Sequence, residues 1–330
     1  MKEFKDITVV VQGPVQTLNG REQEENITYK CLSSIRKYLP GASIILSTWE
    51  GQNIEGLDFD ELVLNADPGS NIRNIKPSGE QQKYNNNRQI VSSYNGLKKV
   101  RTQYAMKLRS DNYLTSNSFV QLQKDYKQRS EKYKFLKERV VVADVFSRKY
   151  AKGFPVAFHI SDFFYFGLAE DVLSLWSMPL FEDFQPTDHC QYNKGYPDFV
   201  TDCTQELFIK ALQQFDLSLN LESLLDNDKN KLYQSELCIA NNLIVAPMSM
   251  IGLELTEKFK GKARVSSPKG KAAHIHFFEW LIWYKKYCDV GIELDDLKIQ
   301  RLTLFFRRLF YIFPYRLETL YKIKKRKKKH

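Results

Sequence analysis

Residues 104–112 read Tyr104-Ala-Met-Lys-Leu-Arg-Ser-Asp-Asn112. An apolar run here passes directly into a polar cluster. Positions 104–108 predict a strand, and Arg109 to Asn112 predict the loop at its end. The same pattern recurs upstream. Ile7-Thr-Val-Val-Val11 is a β-branched run closed by Gln12-Gly13-Pro14, Ser43-Ile-Ile-Leu-Ser-Thr48 leads into Trp49-Glu50-Gly51, and Leu62-Val-Leu64 ends before Asp67-Pro68-Gly69. Helical periods lie between these runs. Residues 27–39 place Ile27, Cys31, Leu32, Ile35 and Leu39 on one face and stop at Pro40-Gly41, and residues 86–99 predict a second helix. This alternation predicts an α/β fold with a mainly parallel, doubly wound sheet. Ligands of such sheets bind beyond the carboxyl ends of the strands, where the clusters at 12–14, 48–50 and 109–112 fall.

Further along, residues 116–138 are charged and read as helical, and Val140-Val-Val142 reads as a strand. Phe158-His-Ile-Ser-Asp162 and Phe163-Phe-Tyr-Phe-Gly167 form a strand-like aromatic segment, and residues 204–214 and 234–242 read as short helices. There is no internal repeat. The chain divides into residues 1–115, residues 116–290 as the second half of the same domain, and a C-terminal helical basic tail over 291–330.

With 330 residues, 43% of them hydrophobic, the chain can bury a sizeable core. The formal net charge is +10, but Lys322, Lys324, Lys325, Arg326, Lys327, Lys328 and Lys329 supply seven units of it. The remaining body is only mildly basic, so no nucleic-acid-binding surface is expected. Cys31, Cys190, Cys203, Cys238 and Cys288 form no metal-ligand spacing and are expected to be reduced. The charged start Met-Lys-Glu-Phe-Lys is unlike a secretory leader, and no run approaches the ~20 apolar residues of a spanning helix. A location on the cytosolic side is the expectation.

Asp111 is the most informative residue. A carboxylate at a strand end suits a Mg²⁺ or Mn²⁺ ion bridging a diphosphate; it equally suits the N-cap of a following helix. Asn87-Arg88 opens a helix, where an arginine can fork onto phosphate oxygens or stand in solvent. Gln12-Gly13-Pro14 either lets backbone approach a nucleotide or merely turns the chain. It is no G-x-G-x-x-G fingerprint, which disfavours a dinucleotide-binding enzyme. His274 and His276 flank Ile275 in an alternating segment, so both imidazoles would point to one side of a strand, as metal or diphosphate ligands or as packing groups. Glu206 and Glu236 each lie on a predicted helix, and either could deprotonate an acceptor hydroxyl.

Several segments together resemble one family. Val9-Val-Val-Gln-Gly-Pro-Val15, Pro40 to Gly51, Asn87-Arg-Gln-Ile90, Lys107-Leu-Arg-Ser-Asp-Asn112, Ile160-Ser-Asp-Phe163 with Gly167, and Asn241-Asn242 are similar to the WavE-type lipopolysaccharide-synthesis family. The likeness runs in order from about residue 5 to about residue 280. It implies a GT-A-like glycosyltransferase, with residues 1–115 holding a nucleotide-sugar donor and residues 116–290 a glycan or lipid-linked glycan acceptor of lipopolysaccharide core or capsule. It also implies that Arg109-Ser-Asp-Asn112 stands where such enzymes carry Asp-x-Asp. Asp111 then becomes the metal or donor-phosphate contact, Arg109 replaces the other carboxylate, and His276 or His274 completes the metal site. Gln12, Gly13 and Glu50 would grip the base and ribose, Glu206 would be the catalytic base, and Asp162 its rival or an acceptor contact.

The last segment, 297–313, mixes Phe305, Phe306, Leu309, Phe310, Ile312 and Phe313 with Arg301, Arg307 and Arg308. Aromatic anchors beside a polybasic cluster predict peripheral attachment to the anionic inner face of the cell membrane, with a helix packed on the core and a disordered basic end as the alternative. Two other classes stay open: a sugar nucleotidyltransferase, and a non-enzymatic membrane-associated protein that binds glycan or nucleic acid.

Overall fold

In the computed structural model, which describes residues 3–16, 23–75, 78–185, 200–260 and 267–327, the N-terminal runs become β1 (Ile7–Gln12), α1 (Ile27–Tyr38), β2 (Ser43–Trp49) and β3 (Glu61–Asn65). A hairpin of β4 (Asn71–Ile75) and β5 (Gln81–Tyr84) precedes α2 (Asn86–Leu97) and β6 (Tyr104–Arg109). Next come β7 (Asn112–Leu114), α3 (Phe119–Lys124), β8 (Val140–Ala143), the short pair β9 (Tyr150–Ala151) and β10 (Phe154–Pro155), and β11 (Phe164–Leu168). The chain continues through α4 (Ala169–Ser174), α5 (Cys203–Gln213), α6 (Lys229–Asn242), β12 (Leu243–Ala246), α7 (Met248–Ile251), β13 (Leu253–Leu255) and α8 (Glu257–Lys260). It ends in α9 (Pro268–Ala273), α10 (Phe277–Tyr287), α11 (Lys298–Tyr311) and α12 (Phe313–Lys327).

Seven strands form one sheet in the order β12-β8-β11-β6-β1-β2-β3. Neighbours run parallel except β11, which is antiparallel to β6 and β8. The fold is thus α/β, with a mainly parallel sheet that is continuous across residue 115. Val9, Val10 and Val11 are wholly buried at its centre, with Ile44 and Leu46 of β2 and Met106 and Leu108 of β6. A long β-branched run buried on both faces is what a central parallel strand requires. The reversal of β11 has a functional consequence. Phe164 pairs with Leu108, so the start of β11 lies at the edge where β1 and β6 end, and Asp162 arrives beside Arg109.

Two segments differ from the sequence reading. Within 116–138 only α3 is helical, because the backbone of 126–136 finds partners outside any helix. Asn242 Oδ1 accepts from the amides of Phe135 (2.9 Å) and Leu136 (3.0 Å), and Asn241 Nδ2 donates to the carbonyls of Ser130 (3.0 Å) and Lys132 (2.6 Å). Arg139 donates to the carbonyls of Tyr126 and Gln128. Residues 158–162 are likewise not strand. Phe158 has a positive φ of 54°, its amide donates to Ser235 Oγ, and that of Ser161 to Ser147 Oγ.

Helix α11 is docked rather than trailing. Leu304, Arg308 and Ile312 turn inward and are buried, whereas Leu302, Phe305, Phe306, Leu309 and Phe310 on the opposite side are exposed. Arg308 forks onto Glu279 of α10, Nη1 to Oε1 at 2.6 Å and Nη2 to Oε2 at 2.8 Å, and Lys149 joins at 2.8 Å. Among the described residues no helix is long and apolar enough to cross a membrane. Cys31, Cys203, Cys238 and Cys288 are free thiols; Cys190, Lys328 and Lys329 lie outside the described residues.

Burial pushes the Glu279 carboxyl up, but the hydrogen bonds and charges of Arg308 and Lys149 outweigh it and hold the group at about 2 rather than 4.5. A depressed carboxyl stabilises the fold above its unfolded value and loses that contribution as pH falls through its folded value. The difference in urea stability between wild type and Glu279→Gln should be about 3 kcal/mol at pH 7. It should shrink steadily between pH 4.5 and pH 2. A difference that does not change over that range would contradict the ion-pair account of α11 docking.

Candidate functional site

A cavity of about 210 Å³ opens at the carboxyl ends of β1, β2 and β6. Its floor is built by the turn after β1. The Gly13 amide donates to the Ser47 carbonyl at 3.1 Å, and Ser110 ties the turn to β6 through its amide on Gln12 O (2.9 Å) and its hydroxyl on Pro14 O (2.7 Å). Gly13 has φ +119°, and a Cβ there would stand 2.9 Å from Ser110 Oγ. Position 13 therefore needs glycine on both conformational and steric grounds.

The charged wall comes from β6 and α8. Arg109 forks onto Asp111, Nε to Oδ1 and Nη2 to Oδ2, both at 2.9 Å. Lys258 Nζ reaches Asp111 Oδ2 at 2.5 Å. The Arg109 guanidinium lies over the rings of Phe163 at 4.6 Å and Phe259 at 5.1 Å. Burial disfavours the Asp111 carboxylate, but Arg109 and Lys258 outweigh it and hold the group far below the usual carboxylate range. Behind the wall, Lys107 is wholly buried and donates to the Asp162 carbonyl. Desolvation pushes it down to about 7, against the attraction of Asp162.

Asp162 faces the same cavity. Its Oδ2 accepts from Gln89 Nε2 at 2.5 Å and lies 3.9 Å from Arg109 Nη1. Helix α2 contributes Arg88, Gln89 and Ser92. Arg88 is held by Asp67 at 2.6 and 2.7 Å and by Asn85 Oδ1 at 2.6 Å, and Ser92 Oγ donates to Gln12 Oε1 at 2.8 Å. Two buried groups on the lining, Trp49 Nε1 and Asn86 Oδ1, have no partner among the described residues. A buried donor and acceptor left unpaired beside a cavity are available to a ligand.

Of the residues singled out in the sequence, Gln12, Gly13, Arg88, Arg109, Asp111 and Asp162 meet in this cavity. The others are placed elsewhere. Asn87 is buried outside the lining, its amide clamped to the backbone of Phe181 at 2.7 and 3.0 Å. Glu50 is exposed past the end of β2, and Trp49 occupies the wall instead. Glu206 lies outside the lining, paired with Arg73 and Thr201. Asp111 caps no helix, since it is followed by β7 and α3 starts only at Phe119.

His274 and His276 do not share a strand face, because His274 ends α9 and His276 begins α10. Neither lines the cavity. His274 Nε2 accepts from the Phe146 amide at 3.3 Å, and burial drives its pKa down to about 3. His276 Nε2 donates to the Lys271 carbonyl at 2.7 Å. The residues around Asp111 do not fit a divalent ion. Both carboxylate oxygens face cations, the alternate position is Arg109, and no cluster of three metal-ligating side chains occurs among the described residues.

Lys258, Trp49, Asn86 and Gln89 were not legible as site residues. Gln89 stood inside the Asn87-Arg-Gln-Ile90 segment, but Lys258 lies in an undistinguished charged stretch and comes to Asp111 only through β13, which pairs with β7.

A family model described as WavE lipopolysaccharide synthesis matches residues 7–312. No curated protein gives a match. Among solved structures, the chain is similar to 4-diphosphocytidyl-2C-methyl-D-erythritol synthase from Anaerococcus prevotii, at 12% identity over 71% of this chain and 96% of that one, with a TM-score of 0.30. It is also similar to HddC from Yersinia pseudotuberculosis complexed with GMP-PN, at 11% identity over 64% and 99%, with a TM-score of 0.30.

Gly13→Ala should lower stability by about 1–3 kcal/mol in urea titration, because the backbone strain and the Ser110 contact act together. Ser110→Ala in the same background should return part of that loss by removing the obstructing Oγ. Gly13→Ala with wild-type stability would show that the turn is not constrained as described.

Proposed function

The chain belongs to the WavE lipopolysaccharide synthesis family, and we propose that it is a glycosyltransferase moving a sugar from a nucleotide-sugar donor to a hydroxyl of a bacterial surface glycan. The observation that carries this reading is the meeting, in one cavity, of a cationic wall with a carboxylate. Arg88, Arg109 and Lys258 offer positive charge suited to a diphosphate, and Asp162 stands beside them. Trp49 Nε1 and Asn86 Oδ1 offer the unpaired donor and acceptor that a nucleoside would use.

In this reading the acceptor oxygen attacks the anomeric carbon of the donor. The bond from that carbon to the diphosphate oxygen breaks, its electron pair stays on the diphosphate, and the acceptor proton passes to Asp162. Gln89 orients the Asp162 carboxylate, and the Lys107 ammonium fixes its backbone through the carbonyl. Asp162 is preferred to Glu206 because it lines the cavity, whereas the Glu206 carboxylate is engaged by Arg73.

The enzyme would work at the inner face of the membrane, where a lipid-linked acceptor is presented. Helix α11 supports this by showing an apolar stripe, Leu302, Phe305, Phe306, Leu309 and Phe310, to solvent while its other side is fixed by Arg308. Arg301 and Arg307 are exposed beside the stripe, and Lys322, Lys324 and Lys325 are exposed on α12. Apolar insertion flanked by cations is the interfacial pattern for an anionic leaflet.

Asp162→Asn should cut turnover by roughly a hundredfold or more while donor affinity changes little, as for a group acting only in the transition state. Glu206→Gln should stay within a few-fold of wild type. Nucleotide-sugar turnover assays on the two variants decide this, and an active Asp162→Asn beside a dead Glu206→Gln would reverse the assignment. Incorporation of a nucleoside triphosphate in place of sugar transfer would instead indicate a sugar nucleotidyltransferase.

In vesicle sedimentation, removal of residues 315–330 should weaken binding to anionic vesicles at low salt, where charges act beyond the ~8 Å physiological Debye length. Phe306→Glu with Phe310→Glu should abolish the remaining salt-resistant part. Unchanged sedimentation of both variants would remove the membrane proposal.

A further inference from the structure

Lys258 is a cation of the cavity wall that is brought from a distant part of the chain. Strand β13 pairs antiparallel with β7, Leu255 opposite Asn112, so the chain leaves β13 beside the residue that follows Asp111. Three residues on, Lys258 reaches Asp111 Oδ2, and its Nζ also donates to Gln23 Oε1 at 3.2 Å. Phe259 locks the position by packing edge-on against Phe163 at 4.8 Å and covering the Arg109 guanidinium. The Asp111 side chain is 3% exposed and that of Lys258 is 37% exposed. The carboxylate is therefore sealed behind the ammonium, which faces the cavity.

Lys258 thus occupies Asp111 Oδ2, and Arg109 already holds both carboxylate oxygens, so neither is left free for a metal ion. Arg109, Lys258 and Asp111 together carry one net positive charge, and the Asp162 carboxylate lies 3.9 Å from Arg109 Nη1 on the other side. We propose that Lys258, together with Arg109, takes the place of a divalent cation at the donor diphosphate and stabilises the leaving group without metal. The inference rests on the nucleotide-sugar reading above and goes beyond it by naming the electrophilic group. During transfer, the electron pair of the breaking carbon–oxygen bond is left on the diphosphate, where the Lys258 ammonium and Arg109 guanidinium hydrogen-bond to it. Lys258 stays protonated throughout and exchanges no proton with the substrate. Asp111 acts as a positioning residue that holds the two cations side by side.

The test is calorimetric binding of UDP, GDP and CDP, each in EDTA and each in Mn²⁺, to wild type, Lys258→Met and Lys258→Arg, with the matching nucleoside monophosphate as control. At least one diphosphate should bind wild type in EDTA, with an affinity that Mn²⁺ does not raise. Lys258→Met should weaken that diphosphate by about ten- to a hundredfold, as for a lost hydrogen bond between charged groups, and Lys258→Arg should recover most of it. The monophosphate should lose much less. A purely structural role for Lys258 would weaken both ligands alike and so overturn the proposal. Diphosphate binding that appears only with Mn²⁺ overturns it too, while leaving the glycosyltransferase reading standing. Failure of every diphosphate to bind, with or without Mn²⁺, overturns the donor reading and this proposal together.

Discussion

The ion pair between Arg109 and Asp111 is the contact around which the rest of the site is arranged. Two residues at the end of one strand form a closed fork with both bonds at 2.9 Å. Neither charge could be buried alone without a penalty of several kcal/mol, so the surrounding structure must keep both in place. Phe163 from the start of β11 and Phe259 from α8 cover the guanidinium, and Lys258 closes the second side of the carboxylate. Two segments far apart in sequence thus converge on a feature only three residues long. The antiparallel β11 makes this possible, since no parallel strand would begin at that edge of the sheet.

A second principle governs the irregular parts. Buried amides and hydroxyls take the backbone hydrogen bonds that helix or strand would otherwise make. Asn241 and Asn242 organise residues 130–136, Asn87 clamps Phe181, and Ser147 and Ser235 hold the approach to Asp162. The last pair matters for chemistry, because it sets the backbone that delivers Asp162 to the cavity. These side chains are the scaffold that makes the loops rigid.

Helix α11 joins the core and the surface in one element. Its inner side is anchored by a buried Arg308–Glu279 fork, which fixes rotation about the helix axis as apolar packing alone would not. Its outer side is therefore committed to exposing Phe305, Phe306 and Phe310. An apolar stripe held outward by an internal ion pair is a different object from a loosely attached tail, because its orientation relative to the central sheet is set.

The periodicity of the first 110 residues determined β1, β2, β3 and β6, the helices α1 and α2 and the parallel sheet, since each of these elements is built from a local pattern of buried positions, but not the β4–β5 hairpin. It also placed Gln12, Gly13, Arg109 and Asp111 at one edge, because in a parallel sheet every strand ends on the same side. Asp162 was visible as a candidate, but its place opposite Arg109 depended on the antiparallel run of β11, which no local pattern encodes. The histidine pair looked alternating because residues 274–276 join two helices, and a three-residue joint carries too little pattern to show its dihedrals. Glu206 sat on a real helix, yet the helix turns it toward Arg73. Tertiary structure alone decided the partner of Asp111. Lys258 lies about 150 residues downstream, and a charge pair across that distance comes from strand pairing between β7 and β13, not from spacing along the chain.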